Sequence, residues 1–135
     1  MRLAQVLPVG AVILLGSFAN AQQELFKLTA SDGTAGSSFG YGVGISGDYA
    51  IVGSPDDDIN GTNSGSAYAF IVSTGEEIHK VTPSDGVAGD FFGYRVAISG
   101  ETAIVAAPED DDNGTGSGSA YIFDVATGLE TFKLV

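Results

Sequence analysis

Beyond its N-terminal segment the chain alternates apolar and polar positions with a period of two. Tyr68, Phe70 and Val72 fall on one face of an extended segment, and Tyr121, Phe123 and Val125 repeat the pattern. Residues 49–53 form a short continuous apolar run, which suits a strand covered on both faces. Before it, residues 40–45 read as a first strand that ends at Ser46-Gly47-Asp48. After the alternating strand, Ser73-Thr74-Gly75 supplies a tight turn, and residues 77–82 read as a fourth strand. No helical period appears outside the N-terminal segment. Frequent glycine and β-branched residues agree with an all-β chain.

These four strands occur twice. Lys27-Leu28-Thr29 returns as Lys80-Val81-Thr82, Ser31-Asp32-Gly33 as Ser84-Asp85-Gly86, and Phe39-Gly40-Tyr41 as Phe92-Gly93-Tyr94. Aligning residues 27–79 with 80–132 needs no gap and leaves 33 of 53 positions identical. At Lys133-Leu134-Val135 a third register begins. A four-strand meander in a unit of about 50 residues is the sequence mark of a propeller blade.

The motifs carry a family likeness. Phe39-Gly40, then Gly53-Ser54-Pro55, then Gly65-Ser66-Ala67-Tyr68-Ala69-Phe70 resemble the FG-GAP repeat of integrin alpha propellers. The second copy reads Phe92-Gly93, Ala106-Ala107-Pro108 and residues 118–123. The likeness is closer to the bacterial exported branch, whose acidic loop follows the GAP element. It covers residues 23–135 and implies two antiparallel β-propeller blades with a role in binding, adhesion or structure. Propellers of this family usually close with more blades. Two copies therefore predict part of a longer propeller, a homo-oligomer, or an open two-blade module. Residues 24–29, which lead into the first blade, are expected to be a strand able to complete another blade.

The N-terminus reads as an export signal over residues 1–21. Arg2 is followed by an apolar stretch at 6–15, and Ala19-Asn20-Ala21 gives the small-x-small cleavage pattern. That stretch contains Pro8 and is half the length of a spanning helix, so no membrane insertion is expected. The expected organisation is this signal, a leading strand with the first repeat over 22–79, and the second repeat with a third register over 80–135. The location is secreted, periplasmic or cell-surface.

Charge narrows the partners. Beyond residue 21 the chain holds 4 basic residues against 17 acidic ones, a balance of −13. Such a surface repels phosphate backbones, so no nucleic acid is expected. A protein or carbohydrate ligand remains. The sequence contains no cysteine, which removes disulfides, thiol catalysis and thiolate metal sites.

The acidic loops are the candidate metal site. Asp56, Asp58 and Asn60 precede Gly61, with Ser64 following; Glu109, Asp111, Asn113 and Ser117 repeat that register. Alternating short oxygen-bearing residues before a glycine turn can supply several of the six to eight oxygens calcium takes. Ala67 and Ala120 stand where an EF-hand carries its bidentate Glu, and a solvated hairpin loop is the alternative reading. Asn60-Gly61-Thr62 and Asn113-Gly114-Thr115 match the glycosylation pattern and also ordinary turn chemistry.

Nothing marks a catalytic set. His79, the single histidine, aligns with Phe132 and Phe26 and so occupies a packing position. There is no Gly-x-Ser-x-Gly elbow, and the carboxylates repeat as a structural or binding feature would. Gly40-Tyr41-Gly42-Val43-Gly44 lacks the spacing and the helix of a phosphate-binding turn. The sequence thus predicts a non-enzymatic binding, adhesion or structural module, with calcium assistance. The alternatives are a propeller portion of a larger extracellular enzyme and a self-assembling lectin-like protein.

Overall fold

The computed structural model describes residues 23–135. The signal expected at 1–21 lies outside them. Two four-stranded antiparallel sheets follow one another along the chain, each a simple meander. The first blade contains β1 (Val43–Ser46), β2 (Tyr49–Ser54), β3 (Ser66–Ile71) and β4 (Glu76–Val81). The second contains β5 (Arg95–Ser99), β6 (Thr102–Ala107), β7 (Ser119–Asp124) and β8 (Leu129–Leu134). The expected strands are therefore present, with shifted ends. The first begins at Val43 rather than at Gly40, because Gly40 turns at φ 95°. The N–H of Gly40 instead bonds the Gly53 carbonyl at 3.0 Å.

Register assigns the faces. In the first blade Val43 pairs with Val52 and Ile45 with Ala50, and Tyr68 and Phe70 continue the same front face. Gly44, Ile51, Ala69 and His79 line the back face, joined by Gly53, Ala67 and Val81. The back face of blade 1 packs on the front face of blade 2. Ile51, Ala67, Ala69 and Val81 are buried there in one cluster with Phe92, Ala103, Val105, Tyr121, Phe123 and Val125. A second cluster, Ala50, Val52, Tyr68 and Phe70, is covered from the front by Leu28, Ala30 and Phe39.

The joint is closest at Gly53. A β-carbon there would lie 1.9 Å from the backbone oxygen of Gly93, so only glycine lets the two backbones meet. At the equivalent position the second blade carries Ala106, on a back face that no further sheet covers among the described residues. Ile104, Ala106, Ala120 and Ile122 are only half-buried there, and Phe132 is 67% exposed. The continuous apolar run expected to be covered on both faces is so in β2, whereas in β6 burial alternates because one face is open. Residues 24–29 pair with no strand among the described residues.

Candidate functional site

Each acidic loop joins the second and third strands of its blade, and most of the candidate metal-ligating groups are engaged in closing that loop. Asp58 Oδ1 accepts the Asn63 N–H at 2.8 Å, and Asp111 Oδ1 accepts the Gly116 N–H at 2.7 Å. Ser64 Oγ accepts the Asn60 N–H at 3.0 Å and donates to the Asp57 carbonyl at 3.3 Å. Ser117 Oγ does the same between the Asn113 N–H, at 3.3 Å, and the Asp110 carbonyl, at 3.1 Å. Asp56 accepts the Ser38 hydroxyl. Glu109 is open to solvent, while its N–H bonds the Asp90 carbonyl at 3.4 Å. Among the described residues no three Asp, Glu or His side chains converge as a metal-holding group. As placed, the eight loop residues thus do not gather around one ion.

The carboxylates between them do the structural work. Asp57 lies under the first loop and accepts hydrogen bonds from Ser66 Oγ at 2.6 Å and Tyr68 Oη at 3.0 Å. Lys80 Nζ sits 2.8 Å from Asp57 and 2.6 Å from Asp32, and 5.2 Å from the centre of the Tyr68 ring. The second blade repeats this with Asp110, Tyr121, Asp85 and Lys133, whose ammonium also reaches Asp112 at 2.5 Å. The fourth strand of each blade is thereby tied to its own acidic loop. In blade 2 Ser119 Oγ, the counterpart of Ser66, is buried without a hydrogen-bond partner among the described residues.

Sequence reasoning missed this network because it sought alternating acids within one loop. Its partners lie in different turns, 48 residues apart for Asp32 and Lys80. The available signal was the recurrence of lysine at positions 27, 80 and 133 in a chain so poor in basic residues.

The charges explain the pKa directions. Burial pushes the Asp110 carboxyl up, but bonds from Tyr121, the Asp112 N–H and Lys133 outweigh it and bring it down to about 2. Asp57 is held low in the same way by Lys80, Ser66 and Tyr68 against its burial. Burial above all pushes the Tyr68 hydroxyl up to about 12. Asp90 is the opposite case, raised by burial. Lowered carboxylates bind fewer protons folded than unfolded, so their stabilisation is present above the ordinary value of 3.8 and is lost on acidification toward about 2. The melting temperature is expected to fall steeply across that window. Asp110→Asn should flatten the fall while lowering stability at neutral pH, and calorimetry between about pH 5 and pH 2 reads both.

Beside the second loop lies a cleft of about 510 Å³. Phe91, Tyr94, Glu109, Asp111 and Thr115 line it. Phe91 has φ 55°, a left-handed conformation costly for a bulky residue, and its counterpart Ser38 shares it at φ 58°, so the turn belongs to the repeat. Its N–H is held by the Asn63 carbonyl at 3.0 Å. Tyr94 stacks against Tyr41, ring centres 4.7 Å apart, and Arg95 lies 4.8 Å over the Tyr94 ring. The counterpart of Phe91 in the first copy is Ser38, which is bonded across to Asp56. Of the cleft's two aromatic residues Tyr94 thus repeats Tyr41, and Phe91 alone belongs to one copy. Sequence offered a weak sign of it, the departure of Phe91 from the repeat.

Antiparallel four-stranded meanders stacked face to back, each closed by an acidic loop and a lysine, define a protein built of propeller-type blades. Residues 23–70 and 76–123 match the FG-GAP repeat, and the chain belongs to that family. No curated protein matches it. Among solved structures it is similar to the computationally designed Ika4 protein at 15% identity, with a TM-score of 0.51. The match covers 81% of this chain and 52% of that one, so the chain spans about half the designed protein's length. That likeness concerns the fold alone.

Proposed function

We propose that this FG-GAP protein is an exported, non-enzymatic binding module whose ligand meets the cleft beside the second acidic loop. The supporting observation is the division of labour among its carboxylates. Asp57 and Asp110 are consumed in holding the blades, whereas Glu109 and Asp111 share an open cleft with Phe91 and Tyr94. Aromatic rings beside hydrogen-bond acceptors suit a sugar ring, which has an apolar face and hydroxyl donors. A carbohydrate is therefore the ligand class the cleft favours over a protein. In a calcium-assisted mode, Glu109 and Asp111 would supply the oxygens.

Glycan-array binding followed by NMR titration tests this. Shift changes at Phe91, Tyr94 and Thr115, lost in Tyr94→Ala with the fold intact, are expected. Calcium should sharpen them if the ion takes part. A folded protein that binds no glycan, with these resonances unmoved, would remove the carbohydrate assignment.

A further inference from the structure

The chain carries the sequence of the outer strand β8 at a second place. Glu24-Leu25-Phe26-Lys27-Leu28 and Glu130-Thr131-Phe132-Lys133-Leu134 differ at a single position. The second copy is β8, paired to β7. The first pairs with no strand among the described residues, yet it already sits where a fourth strand belongs relative to the blade that follows it. Phe26 lies against Gly75, as His79 lies against Gly128. Leu28 and Phe39 cover the front of blade 1, as Val81 and Phe92 cover the front of blade 2. Ser31 bonds Glu77 as Ser84 bonds Glu130, at 2.8 Å through the backbone in both. Residues 24–29 thus lie on blade 1 as β4 lies on blade 2.

Both halves of the internal joint also recur, each without a partner sheet among the described residues. Val43 and Ile45 on the front of blade 1 are 68% and 66% exposed, while their counterparts Val96 and Ile98 pack against blade 1. The back of blade 2 leaves Phe132 and Leu134 exposed, where the equivalent Val81 is buried. A surface that fits a different surface of the same molecule makes head-to-tail contacts.

We propose that a second copy of this chain docks on the back of blade 2, and that it does so by strand exchange. Residues 24–29 of the incoming copy would occupy the space that β8 fills, so both cannot stay. The incoming strand keeps its seat on its own blade 1, displaces β8, and bonds β7 of its neighbour. By the register of β8, Phe26 then pairs with Ile122 and Lys27 with Tyr121, so that Lys27 takes the place of Lys133 beside Asp85 and Asp110. Among the described residues Lys27 makes none of the ion pairs its two counterparts make. Ala97 and Ala106 stand where the internal joint has Gly44 and Gly53, so the joint between copies is wider near the central strands.

The absence of cysteine makes cross-linking clean. A full-length Phe26→Cys chain is mixed with an isotope-labelled Ile122→Cys chain and gently oxidised. A disulfide between the two is expected, several-fold above the yield with an unrelated exposed Thr74→Cys chain. Lys133→Met, which frees β8, should raise that yield, and Lys27→Met should lower it. Ile122→Cys with Phe132→Cys in one chain is the control, since the two residues are direct partners. If the control links while the mixture stays at background, exchange is overturned. Dimers that light scattering detects without the Phe26–Ile122 link would equally overturn it, leaving docking with β8 in place.

Discussion

Phe92→Ala should cost about 4 kcal/mol. The side chain is fully buried between the blades, edge-on to Tyr121 at 5.5 Å and to Phe123 at 5.8 Å. Its backbone is fixed as well, with the N–H bonded to the Ser64 carbonyl at 3.1 Å. The surrounding strands cannot close over the void, because Gly93 already touches Gly53 and Gly65 already touches the Phe92 backbone. Cavity and lost transfer energy therefore add. Phe39→Ala is the internal comparison. Phe39 makes the same edge contact to Tyr68 at 5.4 Å but is only half-buried, so about half the loss is expected. Urea unfolding of both variants measures the ratio, and equal losses would mean that the joint between blades contributes little.

Lys133→Met should cost about 3 kcal/mol, for a different reason. The substitution keeps most of the apolar stem and removes the one cation facing three carboxylates. Asp110, with its side chain only 5% exposed, is then left charged and unpaired beside Asp85. Surface ion pairs contribute little, but a buried charge deprived of its partner is strongly destabilising. The loss should shrink at low pH, where the abandoned carboxylates can protonate. Adding Asp110→Asn should recover part of it, and a double variant no more stable than Lys133→Met alone would place the penalty elsewhere. Lys80→Met offers the same test in blade 1, where two carboxylates rather than three face the amine.

Much of the fold was legible because it is written twice. A strand pattern that recurs without a gap cannot be accidental, and it placed β2, β3 and β4 within a residue or two of where they lie. Boundaries failed where glycine geometry governs, as at Gly40, since a left-handed turn and an extended residue look alike in a glycine-rich string. The site was less legible. Asp56 and Asp58 satisfy the outline of a calcium loop, but that outline is also what a tight loop needs to satisfy its own amides. The central Asp57 looked like one acid among three. Its importance comes from Tyr68 and Lys80 arriving from other strands, which is tertiary information. The cleft arose from two loops whose approach no local pattern encodes.

The meander order of each sheet bears on how the chain is made. Every strand of blade 1 pairs with its neighbour in sequence, and the network of Asp32, Asp57, Tyr68 and Lys80 is complete once β4 exists. A chain emerging from the ribosome or a translocon can therefore finish this electrostatic clasp before blade 2 has fully emerged. Blade 2 can then fold against a preformed template, with short loops to close and few wrong pairings to explore. Vectorial synthesis would thus favour folding one blade at a time from the N-terminal side, and the first blade's exposed back would be the surface most in need of protection while the second is still being made.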